Sequence, residues 1–464
     1  MYKVYVDGIE TKIHKARVSA YPLNKIWDGI QRPLSQTEEA YFLSVDIDDP
    51  VSIEIEVLKD FDKFEIRPLS LKIPTTRNEN IVKFLVEKPM QLTFEVDGSH
   101  CALHIFVNTI SIKPDGDIIY FGPGEHKADL IWLESGQTLY IDKDSVVYGC
   151  IYAKDAHNIK IVGRGILDSS PYCRPTNGGV GVGDYSVVTA LKEKGFAPLD
   201  VQYTGNLTLN NCKDVLVEGI VLRDAPMWSL ITRNNCENIT IDNIKIIGQW
   251  RYNSDGIDIC TSKNVIIKNS FIRSFDDAIV ARGAYLTDES RTVENMRVEN
   301  CVIWCDWGKS LEVWCGHKPT SITNIMFKDI YMIHLSRIAM SITTWYGSES
   351  SVVENVKYQN IYIDEETSYL TPEVETAENP IKYEFDNSFR PKMICICLGT
   401  LGKLEKLGSQ EFVDCDISSF KNYYSNIIFD NIKYNGIPLI AEVEEQNNNL
   451  KTENIIVKNS DFTL

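Results

Sequence analysis

An asparagine-led unit recurs through most of this chain and constrains the fold more than any other feature. Each copy places Asn before a short segment in which apolar residues dominate, and the copies begin at Asn158, Asn238, Asn264, Asn295, Asn324, Asn355, Asn426 and Asn454. From Asn238 to Asn355 the consecutive spacings are 26, 31, 29 and 31 residues. Internal repeats of this length are typical of solenoids. The repeated part is therefore predicted to form a stack of similar coils.

The composition of the repeat favours one type of solenoid, a right-handed parallel β-helix. Asn tolerates the left-handed backbone conformation of a tight bend, and stacked Asn side chains can bond from coil to coil. A leucine-rich repeat needs a denser Leu pattern, and a propeller needs four strands per roughly 40 residues. Neither pattern is present in this sequence.

The first part of the chain has a different pattern and is predicted to be a small β-sandwich. Segments such as Val51–Val57 alternate apolar and polar residues, and turns such as Asp7-Gly8 separate them. We predict an all-β protein with an N-terminal β-sandwich domain at 1–108 and a parallel β-helix at 109–464. His104 is predicted to be a packed or interface residue.

Charge and targeting signals limit the possible partners. A net charge of −18 and a pI near 4.9 argue against nucleic acid and anionic membranes. No apolar run approaches the roughly 20 residues that span a bilayer, and the N-terminus lacks the apolar core of a signal peptide. The expected location is cytoplasmic, or secreted if a signal has been removed.

The 12 cysteines show no paired CxxC motifs. Without a secretion signal they are predicted to be reduced, mostly buried thiols, and no zinc site is expected. Cys395 and Cys397 are predicted to face the same side of a strand.

Two segments interrupt the repeat, at 169–205 and 365–392. Long insertions on one face of a solenoid often form the walls of a binding site. Decoration of the surface is the alternative for both segments.

Four aspartates between apolar runs are the candidates for chemistry: Asp255, Asp258, Asp276 and Asp277. Asp255 and Asp276 are 21 residues apart, close to one coil, and strands on consecutive coils lie roughly 4.8 Å apart. Carboxylates this close cannot all ionise cheaply, so one retains a proton beside an ionised neighbour. That pairing suits inverting glycoside hydrolysis. Turn capping or calcium binding is the alternative.

Asp276 and Asp277 are adjacent, so in a regular strand their side chains would point to opposite faces. If both face one cleft, the backbone must bend or bulge at this point. Asp258 is predicted to have a structural or supporting role.

These residues carry a family resemblance. Asn253-Ser254-Asp255-Gly256 and Asp276-Asp277-Ala278-Ile279 resemble the Asn-Thr-Asp-Gly and Asp-Asp-Cys-Ile signatures of polygalacturonases, glycoside hydrolase family 28. The resemblance extends over residues 109–464 and implies the solenoid fold of pectin-lyase-like proteins and single-displacement hydrolysis. It also implies that Asp276 is the general acid and that Asp255 and Asp277 hold the nucleophilic water.

Two positions depart from the family 28 pattern. Lys309 stands where the family has an active-site His, and Ala339 stands where it has the Lys of its Arg-Ile-Lys motif. These changes lower the expectation of pectin as the substrate. A β-sandwich followed by a β-helix is similar to the dextranase and isopullulanase family, glycoside hydrolase family 49, whose members act on neutral α-glucans.

Candidate substrate-binding residues lie in the central coils. Sugars are held by aromatic stacking and by polar side chains that bond hydroxyl groups. The predicted set is Lys309, Arg337, Arg282, Glu312, Trp250, Trp307, Trp345 and His317.

The sequence thus predicts an inverting glycoside hydrolase that cleaves a polysaccharide or oligosaccharide with three aspartates. The expected partner is a carbohydrate, and no cofactor or metal ion is expected. Two alternatives stay open. One is a polysaccharide lyase, in which Asp255, Asp258 and Asp277 could bind calcium, and the other is a non-catalytic carbohydrate-binding β-helix.

Overall fold

The computed structural model describes residues 1–20, 34–172, 183–196, 204–284, 288–344, 350–364, 391–398, 403–405, 412–414, 416, 418–434, 436 and 439–464. Strands dominate this part of the chain. Its one α-helix within the described ranges is Ser186–Glu193, and short 3-10 turns lie at Leu34–Gln36 and Leu69–Leu71.

The N-terminal part forms two five-stranded sheets that pack face to face. One sheet has the strand order Ile9–Glu10, Tyr2–Val6, Val51–Val57, Ile81–Val86 and Thr75–Asn78. The other has the order His14–Ser19, Thr37–Ile47, Leu103–Thr109, Met90–Val96 and Phe64–Arg67. In Val51–Val57 every second side chain is buried, so the alternation read from the sequence puts its apolar residues in the sandwich core.

From Ile119 onward the strands stack in parallel, and each pairs with the equivalent strand of the next coil. The coils have three faces. The ladder face, which carries the repeated Asn residues, contains Ile119–Phe121, Thr138–Ile141, His157–Gly163, Lys213–Glu218, Glu237–Asp242, Lys263–Lys268, Leu450–Lys458 and the first halves of Thr292–Cys305, Ser321–Leu335, Val352–Ile363 and Asn422–Tyr434.

The second face is turned toward the sandwich. It contains the first halves of Gly124–Leu133 and Ser145–Lys154, then Ile166–Asp168, Val221–Arg223, Lys245–Ile247, Phe271–Ser274 and the second halves of the long strands from Thr292–Cys305 to Asn422–Tyr434.

The third face is called the site face here. It contains the second halves of Gly124–Leu133 and Ser145–Lys154, then Leu207–Asn210, Leu230–Arg233, Ile257–Cys260, Ile279–Arg282, Lys309–Trp314, Ile338–Thr344, Lys392–Leu398 and Ile440–Val443. A short hairpin, Lys403–Glu405 with Phe412–Asp414, lies outside the stack. The predicted right-handed parallel β-helix preceded by a β-sandwich is confirmed. The division of the chain at residue 108 into separate domains stays a prediction.

The repeated asparagines form a ladder along one corner of the coils. Asn264, Asn295 and Asn324 each have a positive φ, between 54° and 59°. The side-chain amide of each donates to the side-chain oxygen of the Asn one coil before, at 3.0–3.2 Å. The predicted bonding from coil to coil is therefore confirmed. The interior of the coils is filled by one continuous cluster of apolar side chains, most of them aliphatic.

The sandwich packs on the second face of the coils through a mixed apolar and polar contact. Phe42 and Phe106 of the sandwich pack with Phe271 and Trp304 of the coils. His104 lies in the same contact, with no exposed surface, and its ring is 4.7 Å from that of Phe271. The prediction that His104 is a packed interface residue is confirmed.

Ten cysteines lie in the described residues, and all ten are free thiols. Eight of them are buried, as predicted. Cys395 and Cys397 do face the same side of their strand, with their sulfur atoms 3.3 Å apart. Within the described ranges, no helix has the length and hydrophobicity needed to cross a bilayer.

Candidate active site

Three aspartates meet where the second face of the coils turns into the site face. Asp276 and Asp277 lie in the bend between strands Phe271–Ser274 and Ile279–Arg282, so the predicted break in the strand is present. Asp255 occupies the equivalent turn one coil earlier, where the backbone N–H of Gly256 donates to the carbonyl oxygen of Asp277 at 2.8 Å. The coil offset inferred from the sequence spacing therefore stacks these residues.

Two glycines allow the turns to approach this closely. A Cβ atom on Gly256 would lie 2.3 Å from the carbonyl oxygen of Ala278. On Gly308, one coil later, a Cβ would lie 2.4 Å from the backbone nitrogen of Asp277. Contacts this short with backbone exclude any side chain, so both positions require glycine.

Arg282 holds two of the carboxylates from the site face. Its Nε donates to Asp258 Oδ1 at 2.6 Å and its Nη2 to Asp255 Oδ2 at 3.0 Å. The guanidinium lies 4.4 Å from the ring of Trp228 and 4.9 Å from that of Trp314, within cation–π range of both. Arg282 is only 6% exposed. Its geometry is that of a residue that orients Asp255 and Asp258 rather than one open to a sugar.

Lys309 and Glu312 surround Asp277 on its other side. The backbone N–H of Lys309 donates to Asp277 Oδ1 at 2.9 Å, and its ammonium lies 3.6 Å from Asp277 Oδ2. The same ammonium is 2.5 Å from Glu312 Oε1, which also accepts a bond from Thr343 Oγ1 at 2.8 Å. Glu312, predicted as a substrate-binding residue, is 1% exposed and has its contacts within the protein.

The two adjacent aspartates have opposite electrostatic environments. Burial raises the pKa of Asp276 to about 7, and the charge of Asp277 adds to the rise. Burial acts on Asp277 in the same direction, but the Lys309 ammonium opposes it, and with further contacts it holds the pKa of Asp277 below its usual range. At neutral pH one carboxyl of the pair can carry a proton while the other is ionised.

The other acidic groups of the site also retain protons more strongly than usual. Burial, followed by the charges of Asp258 and Asp276, raises the pKa of Asp255 well above its ordinary value. Burial raises the pKa of Asp258 to about 6, against the effect of Arg282. Burial and then Asp277 raise the pKa of Glu312 to about 8. Groups this closely coupled titrate as a cluster.

The rim of the site contains an aromatic ring and a cation. Trp307 is partly exposed and stacks on Phe275, with ring centroids 5.7 Å apart and planes 5° from parallel. The Arg337 guanidinium lies 5.8 Å from the Trp307 ring and is also partly exposed. Both predicted residues are therefore placed where a sugar could reach them. Trp345, the third predicted tryptophan, lies outside the described residues.

Two other predicted contacts are packed inside the protein. Trp250 is 5% exposed and its indole N–H donates to Asp224 Oδ2 at 3.2 Å. His317 is 7% exposed, lies edge-on to Trp314 and has its pKa lowered by burial to about 3. The structure places both near the site but against protein side chains.

Asn253 and Thr343 are site residues to which the sequence gave no role. Asn253 Nδ2 lies 3.4 Å from Asp276 Oδ2, and Thr343 bonds Glu312. Asn253 is part of the motif around Asp255, so its proximity to that residue was a signal. Thr343 had none, because its position beside Trp314 follows only from the register of strands Lys309–Trp314 and Ile338–Thr344.

The acidic cluster is arranged around cations of the protein. Among the described residues, no group of three or more His, Cys, Asp or Glu side chains is placed to hold a metal ion. Asp255 and Asp258, which a calcium site would require, both bond Arg282. A divalent ion there would face the guanidinium charge at close range.

Comparison with protein families gives one match, which covers the site. Residues 198–370 match the model of glycosyl hydrolases family 28. The predicted resemblance to this family is confirmed. The match supports glycoside hydrolase activity and, with it, a carbohydrate substrate. A search of curated protein sequences found no match.

Solved structures share the fold at low sequence identity. Dex49A from Penicillium minioluteum is similar over 99% of this chain and 88% of its own, with 13% identity and a TM-score of 0.58. The similarity includes the sandwich, so the predicted likeness in domain order to family 49 is confirmed. A family 28 exopolygalacturonase from Yersinia enterocolitica covers 91% of this chain and 98% of its own, with 14% identity and a TM-score of 0.40.

Proposed function

We propose that this protein is an inverting glycoside hydrolase that cleaves O-glycosidic bonds of a polysaccharide or oligosaccharide by single displacement. The observation that carries the proposal is the contrast between Asp276 and Asp277. One has its pKa raised to about 7 and the other has its pKa held below the usual range, although they are neighbours in one turn. Such a separation of pKa values suits one carboxyl for acid catalysis and the other for base catalysis.

In the proposed reaction, protonated Asp276 gives its proton to the glycosidic oxygen as the bond to the anomeric carbon breaks. A water molecule attacks the anomeric carbon from the opposite face, and its proton passes to ionised Asp277. Asp255 helps to hold this water. Asp276 ends ionised and Asp277 protonated, and exchange with solvent restores the starting state.

The charges around the site favour a neutral sugar as the substrate. Arg282 bonds Asp255 and Asp258, and Lys309 contacts Asp277 and Glu312. Two of the predicted sugar-binding cations are thus engaged by carboxylates of the protein. A uronate would bring another anion close to this acidic cluster, which costs interaction energy. Arg337 remains at the rim as a group that could contact sugar hydroxyls.

The decisive experiment follows the anomer of the product. The protein is incubated with a panel of neutral α-glucans, their oligosaccharides and polygalacturonate, and the first product is observed by proton NMR. We expect a neutral glycan to be cleaved with inversion at the anomeric carbon. Initial release of the retained anomer would refute the single displacement, and an unsaturated product absorbing in the ultraviolet would show a lyase.

A variant separates catalysis from binding. Asp276→Asn should lower kcat by about 10²–10⁴-fold, the range for loss of a general acid or base, while the KM changes little. Asp168→Asn is the matched control, because Asp168 is a buried acid of the second face whose partner is Arg223 rather than a residue of the aspartate cluster. Unchanged turnover in Asp276→Asn, with glycan still bound, would favour the non-catalytic alternative.

A further inference from the structure

Glu312 lies within the cluster, where its carboxyl group is hydrogen-bonded to that of Asp277, and it also contacts groups outside the aspartates. In the strand register it lies beside Val280 on one neighbouring coil and Ser341 on the other. One carboxyl oxygen, Oε1, is contacted both by the Lys309 ammonium, at 2.5 Å, and by the Thr343 hydroxyl, at 2.8 Å. The side chain is therefore fixed from two sides.

Lys309 is shared unequally between two carboxyl groups. Its Nζ is 2.5 Å from Glu312 Oε1 but 3.6 Å from Asp277 Oδ2. The longer distance exceeds that of a charge-assisted hydrogen bond, about 2.7–2.9 Å. Lys309 thus stabilises the charge of Asp277 from a distance while its hydrogen bond is made to Glu312.

This unequal sharing matters for a general base. A carboxylate oxygen bound tightly by an ammonium is less able to accept a proton from water. Asp277 Oδ1 already accepts the backbone N–H of Lys309 at 2.9 Å. Oδ2 lies 3.6 Å from the Lys309 ammonium and 3.8 Å from the Arg282 guanidinium, beyond hydrogen-bond length of both, so it can accept a water provided that the ammonium does not move onto it.

We propose that Glu312 is a positioning residue that holds the Lys309 ammonium away from Asp277 Oδ2, so that this oxygen can accept the proton of the attacking water. The inference rests on the proposed hydrolytic function. It adds a residue, Glu312, that controls the surroundings of the proposed base, Asp277. Thr343 completes the arrangement by fixing the Glu312 oxygen that Lys309 contacts.

Two substitutions distinguish this role from a structural one. Glu312→Leu frees the ammonium to pair with Asp277, and a displacement of about 1 Å in an active site can cost on the order of 10²-fold. We expect kcat to fall by that amount with KM nearly unchanged. Glu312→Gln keeps an oxygen that accepts from Lys309 and Thr343, so it should retain most of the turnover. Equal losses in the two variants would overturn the proposal.

A second measurement does not depend on activity. In crystal structures, the distance from Lys309 Nζ to Asp277 Oδ2 should shorten from 3.6 Å to hydrogen-bond length in Glu312→Leu and stay long in Glu312→Gln. An unchanged distance in Glu312→Leu would refute the positioning role even if no substrate were found. If the wild type fails to hydrolyse any glycan while the distance shortens, only the proposed function falls.

Glu95→Gln is the matched control for stability. Glu95 is a buried glutamate paired with Arg67 and His334 at the sandwich contact. Its substitution should lower the thermal midpoint without changing kcat. A comparable loss of kcat in Glu95→Gln would show that kcat simply follows stability and would count against the positioning role.

Discussion

Asp276 and Asp277 follow one another in the chain, yet their side chains meet different neighbours. Asp277 accepts the backbone N–H of Lys309 and lies near two cations, Lys309 and Arg282. Asp276 has only the amide of Asn253 within hydrogen-bond range in the described residues. The groups that the adjacent coil presents therefore shift the pKa of the same kind of side chain in opposite directions.

A substitution of Arg282 tests how strongly activity depends on the positions of Asp255 and Asp258. Arg282→Lys keeps the positive charge but loses the planar fork that bonds Asp255 and Asp258 together. We expect kcat/KM to fall on the order of 10²-fold, because a misplaced catalytic group typically costs that much. The measurement is steady-state kinetics on the substrate found with the glycan panel.

The control for Arg282→Lys is Arg233→Lys. Arg233 is an equally buried arginine on the site face, and its fork bonds Asp288 at 2.8–2.9 Å. It should lose stability but keep its turnover. A kcat/KM that falls equally in both variants would argue against a specific role for Arg282.

For individual residues, the sequence predicted which aspartates lie together but not the contacts of all the side chains around them. The spacing of Asp255 and Asp276 and the surrounding motifs were enough to bring the three aspartates together. The burial of Glu312 and Trp250 was not predictable, because it depends on side chains from other coils, such as Thr343 and Asp224.

The asparagine ladder is the element that joins successive coils at one corner. Each Asn both adopts the left-handed conformation at the corner and bonds its neighbours above and below. The hydrogen bonds need a side-chain amide, whereas the corner needs a residue that tolerates a positive φ. Substitutions can therefore separate the two functions.

Asn295 offers the cleanest test of this separation. Asn295→Gly loses the two amide bonds but accepts the φ of 58° without strain. Asn295→Ala loses the same bonds and also pays roughly 1–2 kcal/mol for the left-handed conformation. The free energy of unfolding should therefore fall in the order wild type, Asn295→Gly, Asn295→Ala. Urea denaturation of the three proteins measures it, and equal stability of the two variants would contradict the backbone argument.

The repeat predicted the elements well, because Asn at the corners and apolar residues in the interior are local features. Positions facing the sandwich were less predictable. Lys245 lies in Asn243-Ile244-Lys245-Ile246, where alternation predicts an exposed side chain, but it is fully buried and bonds Asn108 and Asn243. The covering sandwich, distant in sequence, buries it.

At the scale of the whole molecule, buried polar contacts connect the sandwich to the turn that leads to Lys309. His104 of the sandwich lies 3.3 Å from Arg273, and Arg273 Nε lies 3.5 Å from Asp306 Oδ2. Asp306 begins the turn that carries Trp307 and leads to Lys309. The sandwich thus contacts the coils that shape the site, an arrangement that domain order alone did not reveal.

The pH dependence of activity is set by all the charged groups of the site together. In the proposed mechanism Asp276 must be protonated, so kcat/KM should fall as pH rises through about 7. Asp277 must be ionised, and its pKa lies below the ordinary Asp value, so the acid limb should lie below about pH 4. The expected profile is therefore active from acidic to neutral pH, with apparent pKa values that belong to the cluster.

Lys309→Met should move both limbs of this profile upward. The Lys309 ammonium lowers the pKa of Asp276 and of Asp277, so its removal raises both. Asp276 then stays protonated to a higher pH, so the basic limb moves upward. Asp277 becomes protonated at a higher pH, so the acid limb moves upward as well. Lys263→Met, which removes an exposed charge on the ladder face, should leave both limbs in place. If the acid limb of Lys309→Met does not move relative to wild type, Asp277 is not the base. Removal of the Lys309 charge must raise the pKa of Asp277, so an unchanged limb would belong to another group.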